Sequence, residues 1–162
     1  MSGEINIKTG ELAIDSKDGI IKTGSVGSCV VIAIYDRNDS VGGLAHAMLP
    51  HRRGKKEEKM TDFKSGNTSA KYADEAVENL VRGIKAKGGD EKKLVAKLVG
   101  GASMFKKLTG DKHGIGAQNI ESAREKLQSM GIEIDNEDTG GSSGKIVEFH
   151  VKNGMVQVNT TL

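Results

Sequence analysis

The stretch SCVVIAIY, Ser28–Tyr35, decides the fold. It is continuously apolar and rich in β-branched residues, the pattern of a buried strand. The polar break Asp36-Arg37-Asn38-Asp39 follows, and VGGLAHAML, Val41–Leu49, returns as a second strand stopped by Pro50. With 36–39 as the hairpin loop, Tyr35 pairs with Ser40 and Cys29 falls opposite His46. A two-residue slip of register puts Met48 opposite Cys29 instead. His46 still shares the face of Cys29, because residues two apart in a strand point the same way.

Working outward, Ile5, Ile7, Leu12 and Ile14 surround Thr9-Gly10, which predicts two short strands or a hairpin, and IIKTG at 20–24 predicts another strand. Downstream of the central pair lies a long polar stretch, 51–69. Residues 71–87 place Tyr72, Ala76, Leu80 and Ile84 on one face at helical spacing, and Gly88-Gly89 ends that helix. Leu94–Val99 is a strand. A second helix spans 120–130, with Asn119 as N-cap and Gly131 just past its end. A short strand at 132–135 and a turn at 140–144 precede Ile146–Val151 and Met155–Val158, which alternate around Asn153-Gly154, a strong hairpin signal. Roughly eight strands joined mostly as hairpins, plus two main helices, predict one α+β domain over residues 1–162 with an antiparallel-rich sheet.

Composition narrows the function. The 162 residues carry 24 basic and 22 acidic side chains, net +2, without the basic excess of a nucleic-acid binder. No apolar run reaches the length of a membrane span, and MSGEINIKTGELAI lacks the pattern of a signal peptide, so a cytoplasmic protein without membrane insertion is expected. The single cysteine excludes an internal disulfide and a cysteine-rich metal site. His46, His51, His113 and His150 are scattered with no ligand spacing, so neither metal nor other cofactor is expected. The turn TGSVGS, Thr23–Ser28, lacks the Lys-Ser/Thr of a phosphate-binding loop and precedes a strand, and it does not fit the serine-hydrolase elbow. The run HRRGKKEEK, 51–59, is either a solvated loop or a surface that steers an acidic partner. Gly100-Gly101-Ala102-Ser103-Met104-Phe105 is a packed strand end or a docking turn.

Cys29 is then either a small buried hydrophobe or a reactive thiol. A thiol beside an imidazole can pass its proton to the ring, attack a carbonyl, and let the imidazolium protonate a leaving amine. Backbone N–H groups of the preceding turn, at Gly27 and Ser28, are the candidate substrate-binding donors for the developing oxyanion. The same residues fit a buried thiol and a satisfied core histidine.

Gly27-Ser28-Cys29-Val30, Gly42-Gly43-Leu44-Ala45-His46-Ala47-Met48-Leu49-Pro50, Tyr72-Ala73-Asp74, Gly100-Gly101-Ala102, Ile115-Gly116-Ala117-Gln118-Asn119 and Gly140-Gly141-Ser142-Ser143-Gly144 occur in one order from about residue 21 to 158. Together they resemble the chemoreceptor glutamine deamidases of the CheD family. The resemblance implies hydrolysis of glutamine side chains on methyl-accepting chemoreceptors to glutamate and ammonia. It implies Cys29 as nucleophile, His46 as acid and base, and Thr23 as third member; nothing in the residue pattern singles out Thr23. It also implies a layered α/β/β domain related to deamidating bacterial toxins, and a CheC-type phosphatase as partner, which leaves a regulatory binding module as the alternative function. Gln118 and Lys145 depart from the family, which commonly has arginine there.

Overall fold

A computed structural model of the protein describes residues 3–52, 70–103 and 114–161. Most of the basic run at 51–59, His113, and Met104-Phe105 of the glycine turn lie outside them. The strands are β1 (Glu4–Asn6), β2 (Leu12–Ser16), β3 (Ile20–Val26), β4 (Val30–Asp36), β5 (Val41–Ala47), β6 (Leu94–Gly100), β7 (Glu133–Thr139), β8 (Gly144–His150) and β9 (Met155–Thr161). The helices are α1 (Ala73–Ala86) and α2 (Ile115–Ser129).

Two sheets result, ordered β1-β3-β8-β9 and β2-β5-β4-β6-β7. All pairings are antiparallel except β1 with β3 and β6 with β7. The five-stranded sheet is the middle layer. Val30, Ile32 and Ile34 of β4 pack with Leu80 and Ile84 of α1 and Leu127 of α2, while Val31, Ala33 and Tyr35 pack with Ile21, Val147 and Phe149 of the other sheet. A strand covered on both faces has no polar face to offer, which is why β4 and β5 are buried along their whole length. The expected α+β class and α/β/β layering follow from this alternation.

The central hairpin takes the slipped register. Asp36 pairs with Val41 and Val31 with His46, so the loop is 37–40. Asp36 is the reason. Its buried Oδ1 accepts the N–H groups of Asn38 (2.9 Å) and Asp39 (3.3 Å), and Oδ2 accepts that of Asp90 (2.7 Å). Burial alone would raise this carboxyl, but the backbone donors outweigh it and hold its pKa below the usual value. Asp36 therefore ends the strand rather than opening the loop.

Of the two forms open around Thr9-Gly10, two short strands occur and not a hairpin: β1 and β2 belong to different sheets, and residues 7–11 cross between them. Asn119 is not an N-cap. The helix begins at Ile115 with Gly114 as its cap, and Asn119 lies buried inside it. The hairpin expected at Asn153-Gly154 joins β8 and β9 through a four-residue connection, in which Asn153 Oδ1 accepts the Met155 N–H at 2.9 Å. No helix among the described residues is long and apolar enough to cross a membrane.

Candidate active site

His46 stands near the end of β5, on its sheet-facing side, and is completely buried. Its backbone is fixed by the crossing segment: Gly10 N–H donates to the His46 carbonyl (2.7 Å), and His46 N–H donates to that of Glu11 (3.0 Å). Across the seam between sheets, Thr23 of β3 lies 2.7 Å from His46 Nδ1 through Oγ1. The Thr23 hydroxyl has one proton, and Oγ1 donates it to the Ile7 carbonyl at 2.9 Å. Oγ1 must therefore accept from the ring. This assigns the proton of neutral His46 to Nδ1 and leaves a bare lone pair on Nε2. Nε2 is buried with no hydrogen-bond partner among the described residues. Burial lowers the His46 pKa from 6.5 to about 4.

Cys29 sits on the short loop between β3 and β4 and is half-buried, beside the similarly half-buried Gly27 and Ser28. Three consecutive carbonyls of this loop are held from outside it. Ala102 N–H donates to Gly27 O (2.9 Å), Asn119 Nδ2 to Ser28 O (2.8 Å), and Gly101 N–H to Cys29 O (2.7 Å). Two of these donors come from the glycine turn after β6. Gly100 has φ +109°, and a Cβ there would run into the Cys29 carbonyl. A Cβ on Gly116 of α2 would collide with the carbonyls of Gly101 and Ala102. Only glycine allows the helix, the turn and the cysteine loop to approach this closely. The 140–141 turn joins the same knot through Gly140 N–H to Gly100 O and Ser103 N–H to Gly141 O, both 2.9 Å.

Three of the other segments that carry the resemblance, at 100–102, 115–119 and 140–141, thus meet at the Cys29 loop, and Thr23, Cys29 and His46 come to one end of the inter-sheet seam. Among the described residues no hydrogen bond joins the Cys29 thiol to the His46 ring. The register explains it. Continued by one residue, the pairing sets Cys29 opposite Met48 and diagonal to His46, and diagonal pairs sit about 7–8 Å apart. Burial also raises the Cys29 pKa, partly offset by its own backbone N–H, while it lowers that of His46. Both shifts favour the neutral forms, thiol and imidazole, over thiolate and imidazolium.

The remaining candidates stay apart. Exposed His51 contacts the Arg52 carbonyl, and His150 pairs with Glu148 on β8. No group of three or more His, Cys, Asp or Glu among the described residues is placed to hold a metal ion. A cleft of about 280 Å³ between β6, β7 and β9, lined by Lys97, Asn136, Glu137 and Val158, contains none of the three site residues. Lys145 pairs with Asp138, which gives that departure a structural role. Sequence reasoning missed Asn119, which it placed at a helix end; its spacing within an amphipathic helix that starts earlier was the available signal.

A family model described as CheD chemotactic sensory transduction matches residues 48–160. The chain belongs to the CheD family. The matched region begins two residues after His46, and full-length relatives cover the rest. One from Archaeoglobus fulgidus, named "Probable chemoreceptor glutamine deamidase CheD", is 42% identical over 161 residues, covering 98% of this chain and 94% of its own. Relatives of the same name from Geobacillus kaustophilus (39% identical, 96% and 92% covered) and Pyrococcus abyssi (37%, 100% and 94%) are similarly complete.

Proposed function

We propose that this CheD chain is a protein-glutamine deamidase acting on chemoreceptors, with Cys29 as nucleophile, His46 as proton carrier and Thr23 as the group that sets its tautomer. The observation that carries the reading is the bare, buried Nε2 of His46. Thr23 turns the ring's proton away from it, and a half-exposed thiol stands on the same face.

Attack on the side-chain amide forms the C–S bond as the Cys29 proton passes to His46 Nε2. The oxyanion is met by backbone N–H groups of the Gly27–Cys29 loop. The imidazolium protonates the departing nitrogen, the C–N bond breaks, and ammonia leaves a thioester. His46 then takes a proton from water as it attacks, the C–S bond breaks, and glutamate and the free thiol result. A thiol kept protonated at rest is shielded from oxidation and reacts when a carbonyl is in place.

Mass spectrometry of receptor cytoplasmic fragments tests the reading. Each modified site should gain the mass difference between amide and acid, and protein pre-alkylated at Cys29 should produce none. Absence of that gain with wild-type protein and its own organism's receptors would overturn it. The CheC-type phosphatase partner rests on the resemblance alone.

A further inference from the structure

Asn119 is a polar side chain in the middle of a helix, with no exposed surface. Its Nδ2 makes two bonds, to Ser28 O at 2.8 Å and to Met48 O at 3.2 Å. Two carbonyl partners require the nitrogen to face them, which settles the orientation of the amide. Oδ1 is then left buried without a partner among the described residues. An unmade hydrogen bond on a buried acceptor is costly, so the residue is poorly chosen for stability alone. What it does is join two carbonyls: one immediately before Cys29, the other two residues after His46.

The first of these has a consequence for the peptide it belongs to. Among the described residues no peptide bond is cis, and in a trans peptide the C=O and N–H point in opposite directions. Holding the Ser28 carbonyl on Asn119 turns the Cys29 N–H away from α2. Among the described residues, no backbone or side-chain acceptor on another residue takes that N–H. A nucleophile's own backbone N–H is a recurrent oxyanion donor.

We infer that Asn119 is a positioning residue for the oxyanion site: by clamping the Ser28 carbonyl it aims the Cys29 N–H at the oxygen of a carbonyl under attack. Its bond to Met48 ties that aim to the strand carrying His46. The inference rests on Cys29 being the nucleophile, but not on the receptor being the substrate.

The test compares two reactions of the same thiol. p-Nitrophenyl acetate acylates it: the C–S bond forms, the ester C–O bond breaks, nitrophenolate leaves, and a tetrahedral oxyanion intervenes. Iodoacetamide alkylates it by displacing iodide, with no oxyanion. In Asn119→Leu, which keeps volume and removes the donor, acylation should fall at least roughly tenfold relative to alkylation, against about 10²–10³ for outright loss of an oxyanion donor. If both rates fall in proportion, or neither changes, the inference is overturned. A second measurement uses wild-type protein and needs no variant to fold. The Cys29 amide proton should shift downfield in NMR when acetaldehyde forms a hemithioacetal on the thiol, and an unmoved resonance would equally overturn the inference. Receptor deamidation is measured alongside. A changed acylation ratio with no receptor deamidation by wild-type protein would sink the proposed function and leave the clamp standing.

Discussion

The two halves of the site are built differently. His46 is held by side-chain chemistry inside a sealed seam: a strand residue, a threonine hydroxyl and a carbonyl in series, with burial keeping the ring neutral. Cys29 is held by carbonyl clamps on a half-exposed loop, donated by a glycine turn and a helical asparagine. The buried half fixes which nitrogen carries the proton. The exposed half fixes where the thiol and its N–H stand while leaving access to a protein substrate. A base wants a defined tautomer, and a nucleophile wants a defined position. In the roles proposed above, His46 receives the first by burial and Cys29 the second from the backbone.

Changes in the buried half should cost the most activity. His46→Gln removes the proton carrier and should lower receptor deamidation about 10²–10⁴-fold, the usual worth of a positioned acid–base group. Circular dichroism should stay native at pH 7. A loss under tenfold in steady-state assays would mean that the seam is structural and not chemical. Thr23→Val strands the Nδ1 proton against a methyl group and should cost about 10–10²-fold, a fraction of the acid–base contribution. Thr23→Ser keeps the acceptor and should stay close to wild type. Equal rates for Val and Ser would break the tautomer argument.

The exposed half should answer more in stability and thiol reactivity. Gly100→Ala forces a side chain into φ +109° against the Cys29 carbonyl, and urea unfolding should show a loss on the order of 1–3 kcal/mol. Cys29 alkylation should change with it. An Ala variant as stable as wild type would mean that the knot around Cys29 is loose.

A pH dependence comparable in size to the Gly100→Ala loss completes the set. The His46 pKa in the folded chain is about 4, below the ordinary 6.5, so the unfolded chain takes up the proton first. Stability is complete above about pH 6.5 and falls as pH drops towards 4, by at most about 3 kcal/mol. Urea titrations at pH 7 and pH 4.5 should show this loss in wild type and a smaller one in His46→Gln. Equal losses in both would place the acid sensitivity elsewhere.

The same contrast governs what the sequence revealed. Strand alternation put Cys29 and His46 on one face under either register, because parity survives a two-residue slip. Parity could not choose the register; that depended on Asp36 collecting an N–H from Asp90, more than fifty residues away. The α/β/β layering was implied by family resemblance, and two-sided burial of β4 explains it. Thr23 had no signal in pattern, since its role exists only where one sheet crosses the other. Asn119 was hidden for a further reason: the role inferred for it depends on the peptide orientation of a distant loop. Gly100 and Gly101 were legible as a turn, but not as part of the clamp on the Cys29 carbonyl.

The most direct test of the account is where substrate becomes covalently attached. Wild-type protein is incubated with a glutamine-bearing receptor fragment, quenched in acid, digested and mapped by mass spectrometry. The account predicts a fragment-minus-ammonia thioester on the peptide containing Cys29, with neither adduct nor glutamate product in Cys29→Ala. An adduct on another residue, or undiminished deamidation by Cys29→Ala, would contradict it.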